Sequence, residues 1–307
     1  GMVMSKVVLL DGGMGQELLR RSSQKPHSMW SARVLLEEPE IVEAVHRDYI
    51  EAGARVITLN NYSATPERMA REGHPELFDI LQKKAIDIAK RARDNSPRAR
   101  DHDIKIAGCL PPLFASYKPE LAPNFEECLE RYRVIADIQK ADVDLFICET
   151  MSSIKEGTAS AVAAASTGLP VWLGLTLEDN LEGRLRSGET LADAMAPIVD
   201  LGVEALLLNC SMPESINAAI GTLINGYDTV GAYANGFTSI AALKPGGTVE
   251  ELQARQDLSP KGYAEFALSW VDSRAKIIGG CCEVGPAHIA ELEQQLLAKG
   301  YEICSAL

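Results

Sequence analysis

Apolar residues along this chain gather into eight short runs. Most are followed by a stretch in which apolar residues recur every three or four positions. The runs span residues 6–10, 54–59, 104–110, 143–148, 169–177, 205–208, 229–234 and 275–278. Short, nearly continuous runs of Val, Ile, Leu and Ala read as strands buried on both faces. The stretches between them, 40–52, 76–93, 125–141, 153–166, 190–201, 213–224, 260–269 and 286–298, read as helices. In the first of these, Ile41, Val45, Tyr49 and Ala52 form one stripe, Pro39 suits the first turn and Gly53 the stop. Eight strands alternating with eight helices predict an α/β protein, a single (β/α)8 TIM barrel over residues 2–307. An open doubly wound sheet is the alternative plan. No linker, low-complexity stretch or repeat divides the chain.

In a barrel of this kind the reactive groups lie at the C-terminal ends of the strands. The apolar runs here lead into Asp11, Asn60, Glu149, Asn209-Cys210, Asn235 and Gly279-Gly280-Cys281-Cys282. Adjacent cysteines make an awkward disulfide with each other but a good pair of ligands for one soft metal. Strands six and eight would bring Cys210 to the same mouth. Three thiolates on Zn2+ leave one open position, and a substrate thiol entering it loses its proton. Such a sulfur suits attack on a methyl group carried by a sulfonium or quaternary ammonium. As plain structure, Cys281 and Cys282 read as small buried residues, Asp11 as the start of a turn and Glu149 as a helix cap. Cys109, Cys128, Cys148 and Cys304 read as structural, and the five histidines as non-catalytic.

Composition narrows the partners. The 307 residues are 46% hydrophobic, enough for a large core, and carry a formal charge of −13. That charge disfavours nucleic acid, and Lys90-Arg91-Ala92-Arg93 reads as a solvated helix face. No run has the length of a membrane span or the form of a signal peptide, and Gly1 before Met2 reads as a remnant of tag cleavage. Seven cysteines without the dense spacing of a secreted framework predict a cytoplasmic protein whose thiols stay reduced or bind metal. The segment Asp11-Gly12-Gly13-Met14-Gly15 has Leu18 where a dinucleotide fingerprint needs its last glycine, so its glycines are expected to admit a small ligand instead.

These motifs resemble the homocysteine S-methyltransferases, a family that includes betaine- and S-methylmethionine-dependent enzymes. The resemblance rests on Asp11-Gly12-Gly13-Met14-Gly15, Val45-His46-Arg47-Asp48-Tyr49 with Glu51-Ala52-Gly53-Ala54, and Asn60 with Tyr62-Ser63-Ala64-Thr65. It continues through Glu149-Thr150, Asn209-Cys210 and Gly279-Gly280-Cys281-Cys282, then Pro286-Ala287-His288-Ile289. It implies a Zn2+-dependent barrel with Cys210, Cys281 and Cys282 as metal ligands. It also implies Asp11 and Glu149 as the acids that hold the amino group of homocysteine. Gly12, Gly13, Asn60 and Asn235 complete the expected substrate-binding set. The implied partners are homocysteine and a small donor such as S-methylmethionine, S-adenosylmethionine or betaine, with methionine as product.

Two stretches depart from the family pattern, Leu59-Asn60-Asn61 and Leu110-Pro111-Pro112-Leu113-Phe114-Ala115-Ser116-Tyr117. Both are expected at the barrel mouth, where they leave donor and acceptor identity open. Another thiol or selenol acceptor is therefore a second reading, and a metal- or thiol-sensing protein without turnover a third. Oligomeric state is not fixed by the sequence.

Overall fold

The computed structural model describes residues 5–23, 25, 27, 29–237, 255 and 257–307; Gly1 and Met2 lie outside the described residues. Its centre is a curled sheet of nine parallel strands. These are β1 (Lys6–Leu9), β2 (Val56–Thr58), β3 (Lys105–Leu110), β4 (Leu145–Met151), β5 (Val171–Leu175), β6 (Ala205–Asn209), β7 (Val230–Ala234), β8 (Ile277–Gly280) and β9 (Glu302–Cys304). Their order is β2-β3-β4-β5-β6-β7-β8-β1-β9. All eight expected strands are present, and β9 is an addition to them. It pairs with the lower part of β1, Lys6 opposite Glu302 and Val8 opposite Cys304. Higher up, the same edge of β1 meets β2. Leu10 bridges Val56, the Arg55 amide donates to the Leu9 carbonyl (2.8 Å), and the Asp11 amide donates to the Val56 carbonyl (3.2 Å).

Alternation along the strands sorts the core into two layers. Val8, Leu145, Ile147, Ala205, Leu207 and Ile277 pack together inside the curl. Their neighbours Val7, Leu9, Phe146, Cys148, Leu206, Leu208 and Ile278 face the helices. Eight helices fall where periodicity places them: α3 (Pro39–Ala52), α5 (Leu77–Asn95), α6 (Phe125–Gln139), α7 (Ile154–Ala165), α8 (Leu191–Ile198), α9 (Pro213–Gly226), α10 (Pro260–Asp272) and α11 (Pro286–Ala298). Side-chain oxygens of Asn124, Ser153, Thr190 and Ser259 accept backbone N–H groups in the first turns of α6, α7, α8 and α10. Three short helices were not anticipated: α1 (Gly15–Arg21), α2 (Trp30–Glu37) and α4 (Pro66–Arg71). They lie in the connections after β1 and β2. Among the described residues, no helix is long and apolar enough to cross a membrane.

Candidate functional site

A cavity of about 180 Å³ opens at the C-terminal ends of the strands. Of the expected site residues, Asp11, Gly12, Gly13, Asn60, Glu149, Cys210, Cys281 and Cys282 line it. Asn235 lies just behind, 1% exposed, with its Nδ2 3.5 Å from the Tyr117 hydroxyl of the cavity wall. Both loops that depart from the family pattern contribute to the lining, through Leu59-Asn60 and Ala115-Ser116-Tyr117.

The two carboxyl groups are held by neutral partners. Asp11 Oδ2 accepts the Thr58 amide at 2.9 Å. Glu149 Oε1 accepts the Cys109 thiol at 3.2 Å, and Oε2 accepts the Tyr233 hydroxyl at 2.9 Å. Loss of water at the cavity wall, only partly offset by the Thr58 amide and reinforced by the nearby Glu149 charge, pushes Asp11 up to about 8. Burial likewise raises Glu149, against the pull of its Cys109 and Tyr233 hydrogen bonds. Two acids in one cavity, hydrogen-bonded only to neutral groups, form a receptor for a cation.

Local irregularities aim these groups. In β4 the pairing with β5 shifts register between Cys148 and Met151, and Thr150 has φ +62°. This bulge ends the regular alternation at Glu149. Asn209, fully buried, locks the bulge to β6: its Oδ1 accepts the Thr150 amide (3.0 Å) and its Nδ2 donates to Thr150 Oγ1 (3.1 Å). Gly174 below it leaves the room, since a Cβ there would stand 2.7 Å from Asn209 Oδ1. Cys210 follows at φ +46°. Its amide donates to the Tyr233 carbonyl (3.1 Å), and its own carbonyl accepts Thr176 Oγ1 (2.9 Å) and Arg186 Nη2 (3.2 Å). Left-handed non-glycine residues of this kind concentrate at functional sites.

Gly12 and Gly13 serve a close approach, but to the chain itself as well as to the cavity. A Cβ on Gly12 would stand 2.1 Å from the Val284 carbonyl, and one on Gly13 2.6 Å from the Cys281 carbonyl. The loop after β1 is thereby pressed onto the cysteine segment after β8, and the Tyr49 hydroxyl donates to both the Gly13 and Val284 carbonyls.

Cys210 and Cys281 are joined as a disulfide, with Cα atoms 5.6 Å apart. The expectation that all seven thiols stay outside disulfides therefore fails for this pair. The reason is geometric: β6 and β8 both flank β7, so their ends converge to a separation within the disulfide range. The other five cysteines are outside disulfides, and Cys148 faces the helix layer as alternation predicts. Among the described residues, no three His, Cys, Asp or Glu side chains form a ready metal-binding group.

Comparison with known proteins assigns this arrangement. The family model described as homocysteine S-methyltransferase matches residues 8–296. The chain is 31% identical to the homocysteine S-methyltransferase of Escherichia coli, covering 94% of each chain. It is 28% identical to homocysteine S-methyltransferase YbgG of Bacillus subtilis, covering 93% of each. The chain belongs to the homocysteine S-methyltransferase family. It is an enzyme of that family, and it superposes on the metallated form of the E. coli homocysteine methyltransferase MmuM with a TM-score of 0.79 at 28% identity, over 94% of this chain and 96% of that one.

Several groups of this methyltransferase's site escaped the sequence reading. Tyr233 and Cys109 orient Glu149. Tyr62, Arg68 and Tyr117 line the cavity from the connections after β2 and β3. Tyr233 had a usable signal, since it lies two positions before Asn235 on the same strand phase. Tyr62 lies in a stretch that carries the family resemblance and Tyr117 in a loop expected at the barrel mouth, whereas Arg68 had no such signal. The Arg186 guanidinium lies 4.4 Å from the Tyr117 ring centroid and so braces the cavity wall against the Cys210 carbonyl.

Proposed function

We propose that this enzyme transfers a methyl group from a small sulfonium or quaternary ammonium donor to the thiolate of homocysteine, forming methionine. The observation that carries the reading is the pairing, in one cavity, of two acids raised by burial with three cysteines at the ends of β6 and β8. An amino thiol has both functions. Its ammonium fits Asp11 and Glu149, and its sulfur fits the cysteine end. Burial leaves Asn60 Nδ2 and Asn235 Oδ1 without hydrogen-bond partners among the described residues, and a polar substrate would satisfy them.

The proposed cofactor is Zn2+, held by Cys210, Cys281 and Cys282. The residues fit it once the Cys210–Cys281 bond is reduced, because two soft donors already converge and the third lines the same cavity. When bound, the ion would favour the thiolate form of a substrate thiol. The rest falls to the chain. Tyr233 and Cys109 fix the Glu149 carboxylate, Asp11 shares the ammonium, and the Tyr117 loop forms part of the cavity wall. The thiolate forms a bond to the methyl carbon as that carbon's bond to the onium centre breaks. The electron pair goes to the leaving sulfur or nitrogen, which departs neutral.

We further propose that the seam between β1 and β2 closes the sheet as a complete (β/α)8 barrel forming one domain. The reducing cytoplasm suits a site that must open a disulfide before taking metal. A second reading keeps the chemistry and changes the acceptor to a selenol. It is favoured by similarity, at 24% identity over 95% of this chain, to a selenocysteine Se-methyltransferase of Brassica oleracea.

The test is methionine formation by reduced, zinc-loaded protein offered S-methylmethionine, S-adenosylmethionine and betaine with homocysteine, and with selenocysteine as competitor. Turnover with one donor supports the reading. No methylation of homocysteine with any donor, by protein that binds both zinc and homocysteine, refutes it.

A further inference from the structure

Arg68 stands apart from the other arginines with little exposed side chain. Arg55 reaches Glu293 at 3.7 Å, Arg186 reaches Asp179 at 3.3 Å, and Arg255 reaches Glu214 at 2.7 Å. Arg68 is 8% exposed and has no carboxylate at ion-pair distance among the described residues. Its Nε and Nη2 both donate to the Pro112 carbonyl, at 3.2 and 3.0 Å, and the guanidinium lies 5.2 Å from the Tyr62 ring centroid. No hydrogen bond from Nη1 is found among the described residues. The acid that most influences it, Glu156, is engaged elsewhere: its Oε2 accepts the Leu113 amide at 2.9 Å and the Tyr132 hydroxyl at 2.8 Å.

The position of Arg68 gives this deficit a meaning. The residue lines the cavity, on the side from which its charge is felt by Cys109, the thiol that touches Glu149. A cation held out of water with only neutral contacts is costly, and that cost falls when a ligand supplies the opposite charge. The guanidinium is fixed on one edge by Pro112 and open on the other, so it presents a planar fork of the kind that matches a carboxylate. Asp11 and Glu149 receive positive charge in the same cavity, so the site as a whole is arranged for a zwitterion.

We propose that Arg68 is the carboxylate anchor of the site, taking the carboxylate of an amino-acid substrate on its Nη1 edge. This rests on the methyl-transfer reading above and sharpens it: the enzyme requires an α-carboxylate on its acceptor, its donor or both. A bare thiol or a bare trialkylsulfonium lacks the group that Arg68 binds. Arg68 takes no part in bond making and acts by placing the ligand.

The test compares wild-type protein with R68Q and R68K by titration calorimetry, reduced and zinc-loaded. Two ligand pairs are used: homocysteine against 3-aminopropanethiol, and S-methylmethionine against (3-aminopropyl)dimethylsulfonium. Within each pair only the carboxylate differs. The wild type is expected to prefer at least one carboxylated ligand by on the order of 30-fold, R68Q to lose that preference, and R68K to retain part of it. Loss on the thiol pair assigns the acceptor's carboxylate, and loss on the sulfonium pair assigns the donor's. In turnover, R68Q then raises the KM of the assigned substrate and leaves kcat nearly unchanged, a split that a merely structural role for the Pro112 contact does not produce. Equal binding of each pair by the wild type overturns the proposal, as does a preference that survives in R68Q. Should R68Q fold poorly, R68K decides, because it keeps the charge and loses the fork; an undiminished preference there overturns the proposal. Because binding is read without turnover, absence of methyl transfer counts against the function and not against the anchor.

Discussion

At the scale of single residues, the site and the core use burial in opposite ways. Asp11 keeps its proton up to about 8 because burial strips its carboxylate of water, and the nearby Glu149 charge adds to the effect. An ammonium arriving there favours the ionised carboxylate, so binding and deprotonation are linked. Affinity for 2-aminobutyrate, which keeps the ammonium and lacks the thiol, is therefore expected to rise with pH between 6 and 8 and to level off above. Calorimetry across that range checks it, and Asp11→Asn should flatten the profile; a flat wild-type profile would remove Asp11 from the ammonium site. Glu149→Gln should weaken the same ligand by roughly 10- to 100-fold while leaving zinc content unchanged, as measured by metal analysis. His46 shows the cost of burial without a compensating ligand. It is fully buried, neither ring nitrogen has a hydrogen-bond partner among the described residues, and burial lowers it to about 4. The unfolded chain binds that proton near pH 6.5, so stability is complete above 6.5 and is lost as pH falls towards 4, by roughly 3 kcal/mol. Urea unfolding at pH 7 and pH 4.5 should show the slope, and His46→Leu should reduce it.

At the scale of elements, what could be read in advance follows from which forces are local. Parallel strands buried on both faces must be apolar throughout, so each run announces its end, and Asp11, Glu149, Cys210 and Cys281 could be placed at one rim from those ends alone. The third residue of the cysteine set needed no structure either, because Cys282 travels with Cys281. The β4 bulge was not legible: the sequence reading ended that strand at Cys148, and only the Asn209–Thr150 clamp shows why pairing resumes at Met151. Strand β9 was missed because three residues, Glu302–Cys304, carry too little periodicity, and its role is set by the lower edge of β1. Arg68 and Tyr117 sit in connections whose course is fixed by distant contacts, such as Pro112 under Arg68 and Arg186 over Tyr117. No spacing rule predicts such contacts. The clamp itself is open to test. Gly174→Ala forces a Cβ to within 2.7 Å of Asn209 Oδ1, so Asn209 must leave Thr150. The lost buried pairing should cost about 1–3 kcal/mol of stability, and kcat/KM should fall with it as Glu149 loses its aim. Normal activity and unfolding midpoint in this variant would show that the bulge holds without the clamp.

At the scale of the whole molecule, one covalent link and one proposed ion compete for the same atoms. The Cys210–Cys281 disulfide closes a loop of 71 residues that contains β7, α9, α10 and β8, so it restricts the unfolded chain across almost a quarter of the protein. The chain-entropy model gives such a loop about 4 kcal/mol, or roughly 6 °C in a protein of this size. Reduction removes that contribution and frees two thiols beside Cys282. Zinc bound by the native cysteines and not by the unfolded chain restores stability by mass action. Three thermal melts separate the states: oxidised, reduced with chelator, and reduced with zinc. The reduced, metal-free protein should melt lowest, and zinc should raise it only after reduction. Cys210→Ala should remove both the disulfide and the response to zinc, whereas Cys128→Ala, at a residue that does not line the cavity, should leave both intact. A zinc response in the oxidised protein, or none in the reduced one, would place the metal elsewhere and leave the three cysteines as a redox pair with a neighbour. The acidic wall of Asp11 and Glu149 would then have to recognise its amino thiol without metal assistance.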